Sequence, residues 1–65
     1  MATVEGKRVQ VGDWVGFKSD IEQSGKIVRI DGDRLTLENI NGFDGDYIGG
    51  QEITTQSARD CWIEG

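Results

Sequence analysis

The chain contains no histidine and no proline, and its single cysteine is Cys61. Each absence removes a class of protein. Without histidine the usual Cys/His zinc sites are excluded, and Cys61 has no imidazole to activate it as a nucleophile. One cysteine excludes an internal disulfide, and a lone free thiol fits an intracellular setting. No run approaches the roughly 18 consecutive apolar residues of a membrane span. Residues 1–8 lack the apolar centre that a signal peptide carries. A soluble, cytoplasmic protein with no membrane partner is the expectation. The missing proline argues against a proline-rich linker.

Positive charge is scarce too. Seven Lys and Arg stand against twelve Asp and Glu, for a net charge of −5. That balance opposes non-specific attraction to phosphate backbones and anionic lipid. At 65 residues the chain is one domain near the lower size limit for a self-sufficient core. Such chains need a staple, unusually regular packing, or a partner subunit. With disulfide and zinc excluded, a compact barrel, an oligomer, or both remain.

What is present is β structure. Ten glycines separate β-rich runs and supply the backbone freedom of turns and bulges. Val9 and Val11 alternate with Gln10, Gly12-Asp13 interrupts, and Val15 and Phe17 resume inward, with Trp14 and Lys18 outward. Residues 19–24 have the composition of a loop. A second strand follows Gly25, with Val28 and Ile30 on one face; the extra apolar Ile27 fits a doubly covered strand or one bulge. Asp31-Gly32-Asp33 is a hairpin turn leading to a clean strand with Leu35 and Leu37 inward. Residues 40–50 read as a compact loop whose aromatics fold onto the core. Residues 51–55 form the fourth strand with Ile53 inward, residues 56–60 make a short 3₁₀ turn, and Cys61-Trp62-Ile63 closes as a fifth strand. Apolar residues nowhere recur at helical spacing over ten positions. The expected fold is therefore all-β: a small antiparallel barrel of about five short strands, with Val15, Phe17, Ile30, Leu35, Leu37 and Ile53 in its core.

Gly12-Asp13-Trp14-Val15, then Gly25-Lys26-Ile27-Val28-Arg29-Ile30, then Leu35-Thr36-Leu37, resembles the opening of SH3-like barrels of the KOW and Tudor type. The whole chain is also similar to short proteins of this kind in tailed bacteriophages. Residues 1–8 are polar and read as a flexible, fraying arm, with Val4 pairing at a sheet edge as the alternative. The resemblance implies an SH3-like barrel over residues 9–65 and, for a phage protein, residence in the host cytoplasm. It departs from RNA-binding KOW modules at the loops, which carry Asp20, Glu22, Asp31, Asp33, Asp44 and Asp46 instead of basic residues.

No constellation of residues points to catalysis, and no cofactor is implied. A calcium loop counted from Asn39 fails, because Phe43, Asp44 and Gly50 stand at positions five, six and twelve. The run from Gly45 to Gly50 lacks the Lys-Ser/Thr of a phosphate cradle. Cys61, beside Asp60, reads as a small buried hydrophobe. The aromatics Trp14, Trp62, Tyr47 and Phe43 admit two readings: covers for the ends of a small barrel, or a patch that docks a partner. Lys26, Arg29 and Arg34 would carry the alternative, a KOW-like nucleic-acid interface. The expectation is a non-enzymatic module binding a protein rather than nucleic acid, as a monomer or small homo-oligomer; a structural subunit acting only as an oligomer is the further alternative.

Overall fold

The alternating stretch at the middle of the sequence becomes the middle of the sheet. In the computed structural model, which describes residues 3–19, 21–44 and 48–64, the chain is all-β with antiparallel sheets. Strands β1 (Thr3–Val4) and β2 (Lys7–Arg8) form a hairpin of their own. Five others build one sheet: β3 (Trp14–Ser19), β4 (Ile21–Asp31), β5 (Arg34–Glu38), β6 (Ile53–Ser57) and β7 (Cys61–Ile63). Their spatial order is β6-β5-β4-β3-β7, so the last strand returns beside the first of the five.

The sheet does not close into the expected barrel, because β6 and β7 do not pair with each other. All three residues of β7 pair with β3. On β7, the Ile63 N–H donates to the Glu5 carboxylate at 2.6 Å, and β1 packs against β7 and the Ala58–Asp60 3₁₀ turn. A side chain and a hairpin thus meet β7 where closure would need a strand. Residues 3–8, expected to lie within a flexible arm, form this hairpin. Its turn is Glu5-Gly6, both at positive φ (52° and 78°), the pairing of angles that a tight hairpin requires. Glutamate is not a turn signal, so the hairpin is hidden in the sequence, yet Val4 is fully buried.

Two further expectations are corrected, and in β4 the bulge reading holds over that of a doubly covered strand, although Val28 and Ile30 do not share a face. Ser19 and residues 21–24 are strand rather than loop: β3 and β4 pair as far as Ser19 opposite Ile21, with Lys18 opposite Glu22 and Phe17 opposite Gln23. Opposite charges facing across a ladder favour that extension. The run of residues 9–11 is not strand; Val9 is buried but Val11 is exposed at a turn that Asp13 caps by accepting the Gln10 N–H at 3.0 Å. In β4 the bulge falls between Ile27 and Arg29, making Val28 the extra residue. Gly25 and Ile27 therefore face inward before it, Val28 faces solvent, and Ile30 is only partly buried.

β6 has the parity opposite to that expected. Leu37 pairs with Thr54 and Leu35 with Gln56, so Thr54 is buried and Ile53 is exposed. The two inward polar side chains satisfy each other, Gln56 Nε2 donating to Thr54 Oγ1 at 2.9 Å. The apolar volume that Ile53 would have filled comes instead from Phe43 and Ile48, both buried.

Phe43 is the keystone of the loop between β5 and β6. Its ring packs on Phe17 at 5.4 Å, tilted by 58°. A Cβ on Gly25 would sit 2.8 Å from Phe43 Cζ, so only glycine lets the ring in. Backbone bonds Phe43 N–H to the Gln51 carbonyl (2.8 Å) and Gly50 N–H to the Phe43 carbonyl (2.7 Å) hold the residue in place. The Gln23 side chain clamps the next peptide, accepting from Asp44 N–H and donating to the Asp44 carbonyl, both at 2.7 Å.

Removing a buried phenylalanine costs roughly 3–5 kcal/mol, a large share of the stability of so small a domain. Phe43→Ala is therefore expected to be largely unfolded in a denaturant titration. Gly25→Ala is expected to destabilise strongly in the parent and much less in a Phe43→Leu background. Additive costs would show that the two residues do not meet.

Candidate functional site

Strand parity sorts the side chains between a buried inner face and an outer face, and the outer face carries the candidate site. Lys26 is the residue common to the β3–β4 and β4–β5 ladders. Through it runs a row across four strands: Trp14 on β3, Lys26 on β4, Glu38 on β5 and Ile53 on β6. Trp14 is 48% exposed and Ile53 51%, high values for large apolar side chains in the body of a sheet. Ile40, just beyond β5, is 80% exposed, and with Trp14, Lys26 and Glu38 it lines a shallow groove. Asn39 builds the loop that presents Ile40. Its Nδ2 donates to the Ser24 carbonyl at 3.1 Å and its Oδ1 accepts the Asn41 N–H at 2.9 Å.

The two tryptophans separate. Trp62 is opposite Gly16, and its indole covers the space that a Cβ there would occupy. Its Nε1 donates to Glu64 Oε1 at 3.0 Å, and the side chain is half-buried. Trp62 thus lies across the sheet as a cover, one register row from Trp14. Phe43, expected in the patch, is wholly inside the core and presents nothing to a partner. Tyr47 lies outside the described residues. Sequence reasoning missed Ile40 and Ile53. Ile40 sits in a loop whose aromatics alone were expected to fold onto the core, and no outward role follows for it from the sequence. Ile53 faces outward only because Phe43 and Ile48 hold the inner volume.

Lys26, Arg29 and Arg34 are all exposed on this outer face. Two of them stand beside acid: Lys26 is in register with Glu38, and Arg34 with Asp31. Arg29 is opposite Thr36. The face therefore alternates in sign across the strands. Among the described residues no three His, Cys, Asp or Glu side chains cluster as metal ligands would. No helix among the described residues is long and apolar enough to cross a membrane.

Cys61 is buried, and its thiol donates to the Ser57 carbonyl at 3.4 Å. Burial, with a lesser push from the Asp60 carboxylate, raises the thiol from its ordinary 9.0 to about 11. It is a protonated, poorly nucleophilic group at neutral pH. The shift also acts on stability. Between pH 9 and 11 the unfolded chain releases this proton before the folded chain does. The contribution is fully present below that window and lost as pH rises through it. Denaturant midpoints are expected to fall across this range in the parent, and Cys61→Ala is expected to lack that part of the fall. An equal fall in both proteins would remove Cys61 as its source.

Comparison of the chain with protein-family models, with curated proteins and with solved structures gives no match, and the site is read from its geometry alone.

Proposed function

We propose that the chain is a small, non-enzymatic binding module of SH3-like type that docks a protein through its outer sheet face around Trp14. The SH3-like assignment draws support from the strand order. The last strand returns beside the first of the five, a 3₁₀ turn precedes it, and the long, bulged β4 serves two ladders in succession. The observation that carries the function is the exposure of Trp14, Ile40 and Ile53 around one charged pair, Lys26 and Glu38. Scattered exposed hydrophobics are ordinary, but a tryptophan within a mixed apolar and charged row has the make-up of a protein interface. On this reading the chain is a tailed-phage protein, as its sequence resemblance implies, and would find its partner in the host cytoplasm.

The nucleic-acid reading has one observation in its favour, that Lys26, Arg29 and Arg34 share this face. Binding through phosphates needs several cations acting together, and each phosphate neutralised adds to a steep salt dependence. Glu38 and Asp31 sit in register with two of the three cations and oppose an approaching strand. Titration with labelled single- and double-stranded oligonucleotides at physiological salt is expected to show no binding tighter than about 10⁻⁴ M. Micromolar, salt-sensitive binding would favour the KOW-like reading instead.

The docking face is tested by substitution. Trp14→Ala is expected to abolish capture of host proteins by the immobilised chain while leaving its thermal melt unchanged. Trp62→Ala is expected to lower the melt, because that indole covers Gly16. Full capture by a folded Trp14→Ala variant would sink the proposal.

A further inference from the structure

The outer face has a property that emerges only when the rows are read across β4 and β5 together. In the first row Lys26 on β4 faces Glu38 on β5, with Trp14 outside one and Ile53 outside the other. In the last row the order of charge is reversed, with Asp31 on β4 and Arg34 on β5. Between them Arg29 faces Thr36. Each row with two charges is therefore antisymmetric about the midline between the two strands. A surface of this kind is complementary to itself under a two-fold rotation.

We propose that the occupant of this face is a second copy of the chain, docked face to face about a two-fold axis that runs along the strands between β4 and β5. This rests on the Trp14 face being a docking surface, and it names the partner. Under that rotation Lys26 of one copy lies over Glu38 of the other, and Trp14 lies over Ile53, each contact occurring twice. Asp31 lies over Arg34 in the same way, and Arg29 meets a threonine hydroxyl. No like charges are opposed in these rows.

The distribution of charge points the same way. The rows shared by β4 and β5 hold three cations and two anions, although the whole chain carries −5. The excess acid thus lies elsewhere, and two acidic chains can meet on this face without their net charges opposing each other there. A chain this short also gains from burying Trp14, Ile40 and Ile53 in a partner, since its own core is small.

The test is charge exchange across the two-fold, read by sedimentation velocity from micromolar to millimolar chain. The parent is expected to dimerise as concentration rises. Lys26→Glu alone places acid over acid, and Glu38→Lys alone places base over base; each is expected to weaken dimerisation at least about tenfold, or roughly 1.4 kcal/mol. An equimolar mixture of the two single variants is expected to recover the dimer, because the acid introduced at position 26 of one chain then meets the base introduced at position 38 of the other. Ile53→Glu, at an exposed position that leaves the core intact, is expected to be monomeric with an unchanged melt. A parent that stays monomeric throughout, or a mixture no better than its components, would overturn the proposal. The docking face itself is judged separately: loss of capture by Trp14→Ala alongside a monomeric parent would leave the face standing and remove only the second copy as its occupant.

Discussion

The ring of Phe43 resting over Gly25 is the contact on which the arrangement depends. It draws the β5–β6 loop down onto Phe17 and fills the centre of the core with a residue from outside the sheet. Because that volume is taken, β6 can turn Thr54 and Gln56 inward as a mutually bonded pair and leave Ile53 outside. The backbone is held accordingly, with Asn39 N–H bonded to the Glu52 carbonyl and Phe43 N–H to the Gln51 carbonyl. One aromatic in the core thus decides which apolar residue appears on the outer face of the sheet. The candidate interface and the hydrophobic core are consequences of the same choice of register.

The long β4 contributes the second constraint. It serves β3 with its first half and β5 with its second, and the bulge at Val28 falls just after the changeover at Lys26. An extra residue there lets both halves bury apolar side chains on the same side, Gly25 and Ile27 before it and Ile30 after it. Without it, Ile30 would share the outer face with Lys26. The outer face is left polar along its middle and apolar at its ends, a composition suited to meeting another folded surface.

Strand existence was legible where apolar residues alternate between turn residues at Val15 and Phe17 or Leu35 and Leu37, though the same alternation at Val9 and Val11 is not strand. Parity was not legible where competition for the core decided it. Ile53 looks like a core residue until Phe43 and Ile48 occupy the space, and no local pattern reports that they do. Nor does composition mark residues 21–24 as strand, since the pairing of Lys18 with Glu22 is a fact about two segments, not one. The N-terminal hairpin was missed for a different reason: its turn uses Glu5 at positive φ, a conformation glutamate seldom adopts and no turn dipeptide announces. For the site, Trp14 was recognisable as an outward aromatic, whereas Phe43 admitted both an inward and a patch reading and lies inside.

That same Glu5 carries a consequence for how copies of this chain can grow into larger bodies. By accepting the Ile63 N–H it denies β7 a free donor, the group an incoming strand would need to extend the sheet on that side. The opposite margin, β6, has no strand beyond it among the described residues. The two margins therefore differ in what they offer a further strand, and a single carboxylate near the N-terminus makes the difference at Ile63.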